Sequence, residues 1–155
     1  MQGDEKIKVL FVDDEEHNLT SFKATFRRDY NLFLASDGPG GIEEFTKNQP
    51  DVVITDQRMP GMTGIEFLEK IQDINNAPMR MLLTGYSDIN AVIDAINKGH
   101  VYRYMQKPWQ REEIINAIES AYEVFALRKQ NAQLLKDLDT ANKQLEFLLR
   151  QKLLS

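Results

Sequence analysis

The strongest constraint on this chain is a regular alternation of two kinds of segment. Five short apolar or β-rich runs are separated by four amphipathic stretches of helical length. Four runs are continuous: Ile7 to Val12, Asn31 to Ala35, Val52 to Thr55 and Met79 to Thr84; the fifth, Val101 to Met105, alternates. A continuous apolar run suits a strand covered on both faces, whereas alternation suits a half-exposed edge. The fifth strand is therefore expected at an edge. Between the runs, apolar residues recur at three and four spacing: Leu19, Phe22 and Phe26; Ile42 and Phe45; Ile65, Leu68 and Ile71; Ile89, Val92, Ile93 and Ile96. That period places each set on one helical face. Pro50 and Pro78 stand before the third and fourth runs, Ser87 or Asp88 is placed to cap the fourth helix, and Gly99 to close it. Alternating strands and helices imply a parallel sheet with right-handed crossovers, a doubly wound five-stranded α/β domain.

The pattern changes after Pro108. Residues 110 to 154 contain no Gly or Pro and are rich in Leu, Ala, Gln, Lys, Asn and Glu, so one long C-terminal helix is expected. Its first part, with Ile114, Ile118, Tyr122 and Phe125, can pack on the sheet. From Val124 a heptad register emerges, with Val124, Asn131, Leu138 and Leu145 at a, and Leu127, Leu134, Ala141 and Leu148 at d. The chain divides accordingly into a globular domain over 1–121 and a helical extension over 122–155, read as a coiled coil. A parallel homodimer through this helix is expected, because Asn131 at an a position favours two strands. Leu135 and Leu149 widen the stripe and make a higher-order bundle the alternative among oligomers.

Composition removes several classes of function. There is no cysteine and there are two histidines, His17 and His100, so disulfides, thiolate zinc sites and cysteine nucleophiles are excluded. Any metal must sit on oxygen. No apolar run approaches the ~20 residues of a membrane-spanning helix, and the first strand begins too early for a signal sequence, so a cytoplasmic protein is expected. Residues 122–155 carry six basic and four acidic side chains (+2), and residues 1–121 carry thirteen and twenty (−7). An acidic body with a weakly basic tail argues against direct nucleic-acid binding and points to protein partners.

In a parallel α/β sheet, ligand sites form outside the carboxyl ends of the strands. The first run ends in Asp13-Asp14, the third leads to Asp56, the fourth ends in Thr84-Gly85 and the fifth leads to Lys107-Pro108. Taken singly, each has an ordinary explanation: Asp13, Asp14 and Glu15 precede a helix and could cap it, Asp56 could be a turn residue, and Lys107 a surface charge. Taken together, three carboxylates, a hydroxyl and an ammonium meet on one rim. Two like charges ~4 Å apart repel by roughly 4 kcal/mol at an effective dielectric of ~20. A hard divalent cation removes that penalty, and Mg²⁺, which takes oxygen ligands and keeps several waters, suits a few carboxylates.

The segments VLFVDDEE, VVITDQRMPGMTG, LLTGYSD and YRYMQKPW resemble, in order and spacing, the receiver domains of bacterial two-component response regulators. The resemblance covers residue 6 to about 121. It implies a flavodoxin-like sheet in the order 2-1-3-4-5, and a metal site holding Mg²⁺ (or Mn²⁺) on Asp13, Asp14, Asp56 and the backbone carbonyl of Arg58. It makes Asp56 the nucleophile and phosphoacceptor, assisted by Thr84 and Lys107. The donor it implies is a phosphohistidine of a sensor histidine kinase. Thr84 would then bond the phosphoryl group and Tyr104 would turn inward, a two-state switch. It also implies a cis Lys107-Pro108 bond. Arg58 and Tyr86, two residues after Asp56 and Thr84, are expected to border the path of attacking water. The chain is thus expected to be a phosphoacceptor rather than an enzyme, controlling an output, with a domain beyond Ser155 favoured.

Two other functions compete. A haloacid dehalogenase-type phosphatase also forms an aspartyl phosphate, but wants a second acid two residues after the nucleophile, and Asp56 is followed by Gln57 and Arg58. A scaffold that no longer needs phosphorylation would have no use for the complete acid set, Thr84 and Lys107. Of the remaining residues, Met59 and Met62 offer loop packing or a kinase contact, Gly64 eases entry into the third helix, Trp109 is read as packing, and His17 and His100 as surface or capping residues.

Overall fold

The computed structural model describes residues 5–85 and 89–155. Five strands and five helices alternate: β1 (Lys8–Val12), α1 (Glu16–Phe26), β2 (Asn31–Ala35), α2 (Gly38–Asn48), β3 (Val52–Asp56), α3 (Gly64–Ile74), β4 (Met79–Thr84), α4 (Ile89–Asn97), β5 (Arg103–Gln106) and α5 (Arg111–Leu154). The strands form one parallel sheet in the order β2-β1-β3-β4-β5. β5 is an edge, as its alternation implies. β2 is the other edge despite its continuous apolar run, and its middle residues are only half-buried. An apolar run marks two covered faces but is blind to whether a second neighbour completes the hydrogen bonding.

Alternate residues divide the core into two layers. Val9 and Phe11 of β1, Val52 and Ile54 of β3, and Met79, Met81 and Leu83 of β4 face α1 and the first part of α5. Leu10, Val12, Val53 and Leu82 face α2, α3 and α4. On the first face, Phe11 and Phe22 stack with ring centroids 4.0 Å apart, and Trp109 closes over Phe22 and Phe26 at 5.9 and 5.3 Å. Each buried Phe contributes about 1.5–3 kcal/mol relative to exposure. Trp109 is therefore packing, as its position suggested.

Local chemistry sets the helix ends. Asp37 caps α2 by accepting from Gly40 N–H at 2.7 Å, and Thr63 with Glu66 forms a reciprocal capping box on α3. Gly99 follows α4 with a φ of +80°, which a side chain would resist. Ser87 and Asp88, the expected caps of α4, lie outside the described residues, as does Tyr86.

The 44 residues of α5 make one unbroken helix, about 66 Å long at 1.5 Å per residue. Ile114, Ala117, Ile118 and Ala121 are fully buried, and Tyr122, Val124 and Phe125 pack against the same layer. From Leu127 onward every residue is exposed, although Arg128 still reaches Met79 Sδ at 3.8 Å, so the helix passes along the amino end of the sheet before it leaves the domain. Among the described residues, no helix is long and apolar enough to cross a membrane.

Candidate functional site

The parallel sheet delivers its reactive residues to one rim because every strand ends on the same side. β1 and β3 are direct neighbours, so the residues that follow them, Asp13 and Asp14, lie beside Asp56. One oxygen from each of the three carboxylates lies within 4.8 Å of the others. Asp13 is fully buried, Asp56 is buried and Asp14 is exposed. This set faces solvent on one side through Asp14, which fits a cation that keeps waters.

Lys107 neutralises part of that charge. Its ammonium lies 3.0 Å from Asp13 Oδ2 and 3.3 Å from Asp56 Oδ1. Its own N–H donates to the Thr84 carbonyl at 2.9 Å, which ties the loop after β5 to the end of β4. The Lys107-Pro108 bond that follows is cis, as the resemblance implied. Burial pushes the Asp56 carboxyl above its ordinary range; Lys107 opposes this and the neighbouring Asp13 adds to it. Burial works to lower the Lys107 ammonium, but its hydrogen bond to Asp13 and the charges of Asp56 and Asp13 outweigh that and hold it above its usual value. Burial thus favours the neutral form of each group, and at Asp56 the positive charge of Lys107 counters it.

Asp13 is held by three donors. Oδ1 accepts from Glu15 N–H at 3.0 Å, and Oδ2 from Lys107 and from Asn18 Nδ2 at 3.1 Å. Of the acids considered as helix caps, Glu15 is the N-cap of α1 and its side chain makes no cap bond, whereas Asp13 takes the Glu15 N–H at the helix entrance as well as the Lys107 ammonium. Asn18 was absent from the sequence reading. Its one signal was its place in the first turn of α1, just after these acids, which by itself does not single it out.

The nucleophile candidate is equally fixed. Gln57 N–H donates to Asp56 Oδ1 at 2.9 Å. A Cβ added to Gly64 would collide with the Asp56 carbonyl oxygen and approach Gln57 Cα, so the role of Gly64 is close approach of two backbones as well as entry into α3. Thr84 is buried at the end of β4, one residue past Leu83, which pairs with Asp56. Arg58 is exposed and follows Gln57 in the loop. Tyr104 is half-buried on β5 and packs in the α2–α4 layer, its hydroxyl 3.4 Å from Gln106 Nε2.

Of the remaining candidates, the two methionines pack and the two histidines do not enter the rim. Met59 is buried with Sδ 4.0 Å from Thr55 Oγ1, and Met62 lies against Gly38 and the same layer. His17 is exposed. His100 is half-buried, with Nδ1 2.7 Å from Gln72 Oε1, and so bridges to α3.

The sequence pattern of the response regulator receiver domain matches residues 9–119. The chain belongs to the receiver domain family. Such domains are phosphorylated on aspartate in two-component signalling, and they bind their cation in an acidic pocket of this kind. Over 153 residues the chain is 29% identical to the hydrogenase transcriptional regulatory protein HoxA of Cupriavidus necator, covering 99% of this chain and 32% of that protein. It thus spans about a third of the length of that relative. A solved structure described as adenylate cyclase from Rhodopirellula baltica superposes with a TM-score of 0.81 at 31% identity, over 84% of this chain and 98% of that one. A response regulator receiver domain from Clostridium thermocellum gives 0.74 at 32% identity, over 78% and 98%. The receiver fold, the strand order and the acidic rim all belong to this family.

Proposed function

We propose that this receiver domain accepts a phosphoryl group on Asp56 from the phosphohistidine of a sensor histidine kinase. The observation that carries this is the meeting of Asp13, Asp14, Asp56 and Lys107 at one rim, with Lys107 within 3.3 Å of Asp56. In the transfer, an Asp56 carboxylate oxygen bonds to phosphorus, the phosphorus–nitrogen bond of the donor breaks, and the leaving imidazole takes a proton from solvent. Asp13, Asp14, Asp56 and the Arg58 carbonyl would hold Mg²⁺ or Mn²⁺, which would supply charge neutralisation for the incoming phosphoryl group. Lys107 follows the new charge, exchanging its carboxylate partners for phosphoryl oxygens. The Thr84 hydroxyl donates to the same group, and Tyr104 moves inward as the switch. Water later cleaves the acyl phosphate, with Arg58 bordering its path. The protein assists both reactions on itself and turns over no separate substrate.

We read the domain as residues 1–121 and the extension as residues 122–155. Leu127, Leu134, Leu138, Leu145 and Leu148, at a and d positions of one helix, are each more than half exposed in the single chain. A row of that length at heptad spacing is the seam of a parallel homodimeric coiled coil. Phosphorylation then alters the pairing of two receivers and controls an output; the greater length of the HoxA relative, 32% of which this chain covers, supports an output in a further domain. The setting is the cytoplasm, and the contacts are with proteins rather than nucleic acid.

Acetyl phosphate with Mg²⁺ tests the reading. The chain should gain a phosphoryl group, and Asp56→Asn or excess chelator should abolish it. Modification that persists in either case overturns the assignment, and turnover of a small phosphate ester would revive the phosphatase alternative.

A further inference from the structure

The first turn of α3 is held from an unusual place. A helix begins with four N–H groups that have no intrahelical partner. In α3 the local cap serves the third, since Thr63 Oγ1 accepts from Glu66 N–H at 3.2 Å, and the Thr63 carbonyl accepts from Phe67 N–H. The first two are both served by Gln57. Its carbonyl accepts from Gly64 N–H and its side-chain Oε1 from Ile65 N–H, each at 2.9 Å. Gln57 is 7% exposed, and its N–H donates to Asp56 Oδ1. One buried residue therefore bonds the phosphoacceptor candidate with its N–H and the start of α3 with both of its oxygens.

We propose that Gln57 is a positioning residue for the cation. The loop between Gln57 and Gly64 is closed at its two ends by these bonds, and the Arg58 carbonyl is the first carbonyl inside it. The Gly64 backbone lies against the Asp56 carbonyl from the other side, so the loop is fixed where it leaves β3 and where it enters α3. Removing the Oε1 bond frees the second anchor and lets the Arg58 peptide tilt. An apolar side chain of equal size fills the space but leaves Ile65 N–H without a partner. The idea rests on the proposed metal set and adds to it a residue that touches neither cation nor phosphoryl group.

The test measures the Mg²⁺ dependence of Asp56 phosphorylation by acetyl phosphate, and Mg²⁺ binding by calorimetry, on the full chain. Three variants are compared with the wild type: Gln57→Met, which keeps the bulk; Gln57→Asn, which keeps the amide but withdraws it; and Gln57→Glu, which keeps an acceptor oxygen at the same reach. Loss of a group that orients a metal ligand typically weakens metal binding by 10–100-fold. Half-saturating Mg²⁺ should rise about tenfold in Gln57→Met and Gln57→Asn, with the rate at saturating Mg²⁺ within about threefold of wild type. Gln57→Glu should bind Mg²⁺ at least as tightly as wild type. A general loss of packing would lower the saturating rate and leave the glutamate variant no better than the others, and that result overturns the proposal. So does an unchanged Mg²⁺ requirement in Gln57→Asn, the variant to be read where Gln57→Met does not fold. If the wild type itself takes no phosphoryl group on Asp56, the functional reading fails and this role falls with it; if it does and the variants match it, only the tie is wrong.

Discussion

The Lys107 ammonium sits 3.0 Å from Asp13 Oδ2, joining residues 94 positions apart and closing the end of β5 onto the end of β1. It reaches Asp56 as well, so one cation balances the two buried members of a three-carboxylate cluster. Lys107→Ala leaves both carboxylates with less compensation. Removing one partner of a buried pair costs about 3–5 kcal/mol, and the partial exposure of Lys107 reduces this to roughly 1–3 kcal/mol. The expected outcome is a metal-free variant destabilised by that amount in denaturant unfolding, largely restored by Mg²⁺, with phosphorylation of Asp56 strongly reduced. Equal stability with and without the cation would contradict the charge account.

The raised pKa of Asp56 has a sign that can be checked. Its folded-state value lies above its unfolded one, so the folded state binds the proton more tightly. Between those two values the unfolded chain has already released its proton, and stability falls as pH rises. Metal-free protein should therefore lose stability from Asp56 as pH climbs above the ordinary carboxylate range of about 3.9, and Asp56→Asn should remove that slope. Lys107, also raised, contributes stability that persists to alkaline pH and is lost as pH rises through its folded value. The measurement is thermal unfolding against pH for wild type and Asp56→Asn in chelator; identical slopes at acid pH would refute the assignment.

Gly64→Ala should damage the site from behind. The new methyl meets the Asp56 carbonyl and the Gln57 backbone rather than a movable side chain. Overpacking of this kind costs about 1–3 kcal/mol. Thermal unfolding should register the loss, and Mg²⁺-dependent phosphorylation should fall further than for Gly61→Ala, where an added Cβ meets nothing, although its φ of +81° adds strain of its own.

Much of the domain was legible in the sequence because strand ends in a parallel sheet are colinear with chemistry. The apolar runs gave the strands, and the acids after β1 and β3, with Thr84 and Lys107 at the other ends, gave the rim. Two things were not legible in local composition. The edge position of β2 followed from the strand order that the resemblance implied, since NLFLA itself reads the same inside a sheet or at its border. Asn18 and Gln57 act through side-chain geometry: an asparagine in a first helical turn and a glutamine after a strand have many ordinary uses, and only folding shows that they bond Asp13 and the start of α3.

The extension should self-associate. Light scattering on the intact chain at tens of micromolar should give a dimer, and truncation after Tyr122 a monomer. Asn131→Leu should raise the melting temperature while loosening the choice of oligomer, since a buried a-position amide fixes register at a cost in stability. A monomeric intact chain, with and without beryllofluoride, would end the coiled-coil proposal. A large loss of stability in Asn131→Leu would show the heptad register to be misread.

The most direct measurement is the location of the phosphoryl group. The chain is incubated with acetyl phosphate and Mg²⁺, the acyl phosphate is trapped by borohydride reduction, and the modified peptide is sequenced by mass spectrometry. A single modification at Asp56, absent in chelator and absent from Asp56→Asn, is the result predicted by the convergence of Asp13, Asp14 and Lys107 on that carboxylate. Modification at another residue, or at Asp56 without a divalent cation, would contradict it.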